Sequence, residues 1–564
     1  MRKLILMILL LPVSDLRGRR SVSAGLRLLH DRFVFYSAIA AGFLVGLLGA
    51  SPCLADPCEE LSNLKLENTV ISLAKTIPAG PLEVKLSALG VPKQHIDLPS
   101  HCRVAGSIHP TSDSDIKFEV WMPASGWNGR YQQLGNGGLA GVINHVGLAS
   151  TLKRGAAAAA TDDGHMSQNV LEAEWAVGHP EKLKDYGDRA VHLTAKIGQA
   201  LVSAYYGRPA SHTYFIGCSA GGRESLMEAQ RYPEDFDGYL AGAPADFVNY
   251  NITYINLVRA LRTLPADQQL GPAQLKALSS KVLERCDALD GVKDGVLRDP
   301  RECKFDPGDM LCNAGENRDS CLTPAQAKAI KQIYDAKDAK TEAQIANGFS
   351  GTLGTEYVTW PGMLAGAESA MPRIASLFYG DPKLDPTTFD LAKVARDTAA
   401  GISPINPDLS RARSLGRKII VFHGWADPGV SAHDSIAYFD AVTKRMGPNL
   451  GGFYRLFLVP GMPHCMGAPG LGANNIDISG LFGGTTPQLA DADHDWTLAL
   501  ERWVEQGKTP DRMIATEFDS TATAGPATQM TGRIKSTRPV CVYPKRAVYK
   551  GSGPQSDAAS FSCE

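Results

Sequence analysis

Three runs in this chain are apolar on nearly every face: Tyr214–Gly217 (YFIG), Ile419–Gly424 (IIVFHG) and Arg455–Gly461 (RLFLVPG). A strand with no polar face must be covered on both sides, as the central strands of a parallel sheet are. Further strand candidates are Phe118–Met122, Ala156–Thr161 and Tyr239–Ala241, and the three runs extend to Thr213–Gly217, Lys418–His423 and Tyr454–Val459. Helical patterns fall at Tyr186–Tyr206, Gly222–Tyr232, Ser431–Met446 and Ala490–Gln506. Strands alternating with helices predict an α/β protein with a mostly parallel, doubly wound sheet. The rhythm breaks between Phe247 and Leu415, a stretch rich in Asp, Gly, Pro and Cys. Residues 247–415 therefore read as an inserted domain. Residues 56–246 and 416–564 read as the two parts of the sheet domain. The insertion is placed to cover the carboxyl ends of the strands, where ligands of open α/β sheets bind.

The net charge is -2 and no basic cluster occurs, so nucleic acid and anionic membranes are not expected partners. The first 55 residues differ in character. Arg17, Arg19, Arg20, Arg27 and Arg32 precede an apolar run from Phe33 to Ala50, and Ser-Pro-Cys-Leu-Ala follows. That order describes a secretory signal peptide, with cleavage placed after Ala55 and no membrane attachment afterwards. The alternative is a membrane anchor, since the run is about long enough to span. Cleavage would remove Cys53 and leave ten cysteines, an even number suited to disulfides in an oxidising compartment. The expected location is secreted or periplasmic. Cys541 and Cys563 read as the ends of a stapled loop in the tail.

Gly217-Cys218-Ser219-Ala220-Gly221 matches G-x-S-x-G, with an apolar strand before it and a helical pattern after it. In α/β-hydrolases this sequence is a sharp strand-to-helix turn that lifts a nucleophilic serine above the sheet. The backbone N–H of Ala220 would then face a developing oxyanion. A serine nucleophile needs a base, and the base needs an acid to orient it. In this fold the order is Ser, then Asp or Glu, then His. Asp427 follows the strand ending at His423, and His464 follows the strand ending at Val459. His433 and His494 are the competing bases, each within a helical pattern, and Asp434 is the alternative acid. The second oxyanion donor should come from an early loop after a strand, Gln132-Gln133-Leu134-Gly135-Asn136-Gly137-Gly138. Gly137 is favoured, with Gly135 and Gly138 open.

Cys218 precedes the serine and Cys465 follows the histidine. Side chains within hydrogen-bond reach bring their chain neighbours close, and a disulfide needs Cα atoms about 4.4–6.8 Å apart. A triad of Ser219, His464 and Asp427 thus predicts a Cys218–Cys465 bridge.

Taken together, Gly217 to Arg223 (GCSAGGR), His423 to Asp427 (HGWAD) and Pro460 to Cys465 (PGMPHC) resemble the tannase and feruloyl esterase family, which includes a terephthalate monoester hydrolase. The resemblance spans nearly the whole chain after the leader. It implies an α/β-hydrolase with a lid domain between nucleophile and acid, the triad and the bridge joining its neighbours. It also implies two-step hydrolysis of small aromatic acid esters: ferulates, gallates and, in one branch, a terephthalate monoester. Proximity in sequence and the resemblance together suggest pairing Cys58 with Cys102, Cys286 with Cys303 and Cys312 with Cys321.

The run Cys286 to Val296 (CDALDGVKDGV) holds three carboxylates and two glycines. Its own chemistry suits either a solvated Asp-Gly turn or calcium, which takes six to eight oxygens. The resemblance implies a structural Ca2+, with carboxylates from Asp287, Asp290 and Asp294 and carbonyls from Val292 and Val296. Substrate contacts are less defined. Trp360, Phe378 and Tyr379 are aromatic residues of the insertion that would suit an aromatic acid, with burial in its core the alternative. Arg373 would suit a free carboxylate, with a surface position the alternative. His423 either contacts substrate or ends its strand. Ala220 stands where the terephthalate hydrolase has Glu, and Val430 where it has an aromatic residue. Both departures point to a feruloyl or related phenolic esterase, with tannase and terephthalate monoester hydrolase as alternatives. A calcium-dependent binding protein without catalysis is the alternative outside enzymes.

Overall fold

A computed structural model describes residues 56–564 apart from 87–90, 336–347, 391–401, 405, 479–480, 482–486 and 520–531. The leader read in residues 1–55 lies outside the described residues.

Nine strands form the main sheet: β1 (Thr69–Ile77), β2 (His101–Ile108), β3 (Ile116–Pro123), β4 (Arg130–Leu134), β5 (Ala157–Thr161), β6 (His212–Cys218), β7 (Gly238–Gly242), β8 (Lys418–Gly424) and β9 (Tyr454–Val459). Their spatial order is β1-β2-β3-β5-β4-β6-β7-β8-β9. The first three strands and β5 pair antiparallel. The six from β5 to β9 run parallel. Those six are almost wholly buried, which accounts for their apolar sequences. The exception is β4, whose Gln132 and Gln133 are buried but satisfied by Thr151 Oγ1 and the Val191 carbonyl. Helices α1 (Ala190–Tyr206), α2 (Ala220–Arg231), α7 (Ala432–Met446) and α8 (Trp496–Gln506) pack against the sheet. The last is shorter than the pattern from Ala490 suggested. Asp495 caps it by accepting the Thr497 and Leu498 N–H groups, so the helix begins at Trp496.

Between β7 and β8 the chain leaves the sheet and builds helices α3 (Phe247–Arg262), α4 (Pro272–Cys286), α5 (Pro324–Asp335) and α6 (Glu356–Tyr379). These share an apolar core of their own, centred on Ile255, Leu278, Ile330 and Trp360. Asp246 marks the way out and caps α3 through the N–H groups of Val248 and Asn249. Ser403 marks the way back, and its Oγ donates to Asp246 Oδ1 at 2.7 Å. The helical excursion thus starts and finishes at one neck.

Ten cysteines form five disulfides: Cys58–Cys102, Cys218–Cys465, Cys286–Cys303, Cys312–Cys321 and Cys541–Cys563. Among the described residues, no helix is long and apolar enough to cross a membrane.

Candidate active site

Strand β6 ends at Cys218 and α2 begins at Ala220, leaving Ser219 alone on the corner with φ +64° and ψ −120°. A non-glycine residue at positive φ is strained and persists only where its surroundings over-determine it. They do so here. A Cβ at Gly217 would lie 2.2 Å from the Gly221 carbonyl oxygen, and one at Gly222 would lie 2.2 Å from that of Gly242. Bare glycines let strand, helix and the β7 end close around the serine. Backbone bonds from Ser219 N–H to the Gly242 carbonyl (2.9 Å) and from Ala245 N–H to the Ser219 carbonyl (3.1 Å) lock the corner. Ala220 opens α2, so its N–H has no acceptor within the helix.

The loop after β8 carries Asp427 and the loop after β9 carries His464. His464 Nδ1 lies 2.6 Å from Asp427 Oδ2, so the imidazole donates there and leaves Nε2 for chemistry. The other carboxylate oxygen accepts the N–H groups of Gly429 (2.8 Å) and Val430 (2.9 Å). Burial alone would raise the Asp427 carboxyl. The charge of His464 and hydrogen bonds from His423 and His464 outweigh it and hold the group well below the carboxylate range. For His464, burial opposes the imidazolium, but the charge and hydrogen bond of Asp427 outweigh it and raise the pKa above the ordinary histidine value. About a third of the His464 side chain is exposed, whereas Asp427 is closed off. Ser219 and His464 open onto one cavity. The bridge between Cys218 and Cys465, with Cα atoms 5.9 Å apart, ties their neighbours together. Cys465 itself sits at φ +67°.

The competing residues lie elsewhere. His433 bonds to Ser350 Oγ, and His494 to the Asp491 carboxylate. Asp434 is buried in α7, and the carboxylate on His464 is that of Asp427. The reading of His423 as a substrate contact is corrected: the ring is fully buried behind the acid. Its Nε2 donates to the Val430 carbonyl at 3.0 Å, and its Nδ1 accepts from Ser435 Oγ at 2.8 Å. His423 is not among the residues that line the cavity.

In the glycine loop after β4, Gly135 N–H donates to the Ile216 carbonyl at 2.9 Å and is spent. Among the described residues, the N–H of Gly137 makes no hydrogen bond. Gly137 and Gly138 both line the cavity beside Ser219.

The cavity has a volume of about 600 Å³, within the range of small-molecule sites. The helical excursion supplies Phe247 and Tyr250 from α3 and Arg373, Ile374 and Leu377 from α6. Arg373 is thus in the cavity wall and not merely on the surface. Trp360, Phe378 and Tyr379 are not: Trp360 is wholly buried and donates to Thr352 Oγ1, Phe378 packs on the helical core, and Tyr379 packs on Phe389. Phe247 and Tyr250 escaped the sequence reading, although a spacing of three on a helix directly after a strand end could have found them.

In the acidic loop, Asp287 accepts the Asp294 and Gly295 N–H groups and Asp290 accepts that of Val292. Asp294 pairs with Arg538 at 2.7 Å. Burial raises the carboxyls of Asp287 and Asp290, and the charge of Asp294 raises both further. Carboxylate oxygens are the donor type that calcium takes, although Asp294 already pairs with Arg538. The loop also touches the chemistry's surroundings, since Val296 clusters with Ala426, Ala468 and Leu471. Among the described residues, His192, Glu228 and Asp235 are the group of ligand types whose donor atoms lie within 4.8 Å of one another, but His192 Nδ1 and Asp235 Oδ2 are 2.5 Å apart, a hydrogen-bond length.

Comparison with known proteins agrees with this architecture. The family model for tannase and feruloyl esterase matches residues 102–564. An uncharacterized esterase of Xanthomonas campestris pv. campestris is 36% identical, the match covering 95% of this chain and 96% of the relative. A probable feruloyl esterase B-2 of Aspergillus terreus is 31% identical, covering 90% of this chain and 94% of the relative. The crystal structure of feruloyl esterase B from Aspergillus oryzae superposes with a TM-score of 0.78 at 27% identity, covering 90% of this chain and 99% of that one. With its α/β-hydrolase sheet, its strained serine corner and these relatives, the chain belongs to the tannase and feruloyl esterase family and is a carboxylic ester hydrolase.

Proposed function

We propose that this chain is an exported serine esterase of phenolic acid esters, feruloyl esters foremost, acting through Ser219, His464 and Asp427. The observation that carries the reading is the His464–Asp427 hydrogen bond opening onto the same cavity as the strained Ser219. In the mechanism, Ser219 Oγ attacks the ester carbonyl while His464 Nε2 takes its proton. The N–H groups of Ala220 and Gly137 receive the negative charge on the carbonyl oxygen. His464 returns the proton to the departing alcohol, and water then releases the acid from the acyl-serine by the same route. Asp427 keeps the imidazole in the productive tautomer and offsets its charge. The largely apolar cavity suits the aromatic acid. Relatives named as feruloyl esterases support the substrate class.

Labelling by a fluorophosphonate probe tests the nucleophile: the wild type is expected to label and Ser219→Ala is not. A wild type that stays unlabelled removes the reading. Rates on methyl ferulate, methyl gallate and the terephthalate monoester then sort the substrates, with methyl ferulate expected fastest. A second reading, an ester with a free carboxylate, is favoured by Arg373 in the cavity wall. It predicts a preference for the terephthalate monoester that Arg373→Ala abolishes.

Export is supported by the leader-like residues 1–55 and by five disulfides. We also propose a structural calcium held by Asp287, Asp290 and Asp294 with the Val292 and Val296 carbonyls. When bound, the ion would offset the carboxylates' repulsion and stiffen the loop. Chelation with EDTA is expected to lower the melting temperature by several degrees, and added Ca2+ to restore it. An unchanged melt would count against the ion.

A further inference from the structure

The loop that presents Gly137 is anchored from below by the helix that follows the serine. Glu224, one turn into α2, accepts the Asn136 N–H on Oε2 at 3.0 Å. Gly221, on the same helix, donates its N–H to the Asn136 carbonyl at 2.8 Å. Both peptide groups flanking Asn136's Cα are therefore held by α2. The approach leaves no slack: a Cβ at Gly135 would lie 2.5 Å from Gly221 Cα. Glu224 is almost wholly buried and is not among the cavity-lining residues, so its carboxylate does not meet substrate.

A buried carboxylate needs compensation. Arg223 supplies some, with Nη2 3.6 Å from Glu224 Oε1, while the guanidinium itself is fixed by the carbonyls of Tyr186 and Gly187. Asp163, wholly buried at φ +61°, is a second acid near Glu224. Burial and the charge of Glu224 push the Asp163 carboxyl well above the carboxylate range.

We propose that Glu224 is a positioning residue for ester hydrolysis: by accepting the Asn136 N–H it fixes the loop so that Gly137 N–H stands over Ser219 when negative charge develops. The proposal rests on the serine esterase reading above. An anchor for an oxyanion donor acts on the transition state and hardly at all on substrate binding. Glu224→Ala is therefore expected to lower kcat on methyl ferulate by about 100-fold, with KM within about threefold of wild type. Glu224→Gln keeps an oxygen for the Asn136 N–H and is expected to stay within about fivefold in kcat. Glu224→Met fills the same space without an oxygen and serves if the alanine variant is not recovered folded. The proposal is overturned if the alanine and methionine variants keep wild-type kcat, if their loss falls on KM, or if Gln is as damaging as Ala. Fluorophosphonate labelling of the wild type separates the two levels. No labelling removes the esterase reading, whereas labelling with an unaffected Glu224→Ala variant removes only the role of Glu224.

Discussion

Asp427→Asn is expected to lower kcat by about ten-thousand-fold while the protein stays folded. The asparagine Oδ1 still accepts the N–H groups of Gly429 and Val430, so the loop keeps its shape. Its Nδ2, however, is a donor placed where Oδ2 now accepts from His464 Nδ1. The imidazole must then carry its proton on Nε2, and a protonated Nε2 cannot take one from Ser219. The pH profile gives a second readout. In the wild type, Asp427 raises the pKa of His464, so activity falls as pH drops through a value above the ordinary 6.5 or so. The protonated base is the inactive form, so the loss lies on the acid side. With asparagine at 427 that support is gone, and the acid limb of the residual activity moves to lower pH. Initial rates from pH 5 to 9 on both proteins check this. A limb that stays in place would mean that Asp427 does not set the base.

Removing the Cys218–Cys465 bridge is the second large effect. The bridge closes a loop with a sequence separation of 247. Chain-entropy arguments give roughly 5 kcal/mol for a loop of that length, an upper figure because native strain and residual structure subtract from it. Cys218→Ala with Cys465→Ala is thus expected to lower the melting temperature by several degrees. The effect on rate should exceed what unfolding explains. The bridged residues flank Ser219 and His464, and a misplacement of about 1 Å at reacting groups costs on the order of 100-fold. A kcat reduced by that factor at a temperature where the variant is folded, with KM little changed, is the expected result. Equal kcat in both proteins would confine the bridge to stability.

Much of this was written in the sequence, for identifiable reasons. The parallel strands were legible because burial on both faces leaves only apolar residues, as in Ile419–Val421. The serine corner was legible because glycine is the only residue its contacts admit. What escaped obeys different rules. Strand β4 reads Arg-Tyr-Gln-Gln-Leu and hides its glutamines by hydrogen bonds to distant residues that no local pattern announces. Strands β1 and β2 carry polar residues because alternate positions along them are less buried than in the central strands. His423 was ambiguous since its fate depends on packing against α7 and the loop around Val430. Arg373 and the α3 aromatics needed the fold to reveal which helix faces the serine.

The neck where Ser403 meets Asp246 has a consequence for how such enzymes diversify. The stretch of chain that leaves and rejoins the scaffold there is also held to it by Asp294–Arg538, Ser350–His433 and the packing of Val296 on Ala426, so an exchanged module must match those contacts as well as the neck, while strands β7 and β8 go on pairing with each other. Ser219, Asp427 and His464 stay on the scaffold, while Phe247, Tyr250 and Arg373 of the cavity wall travel with the graft. Changing diet, for an esterase built this way, needs a module that keeps those attachments and no new chemistry.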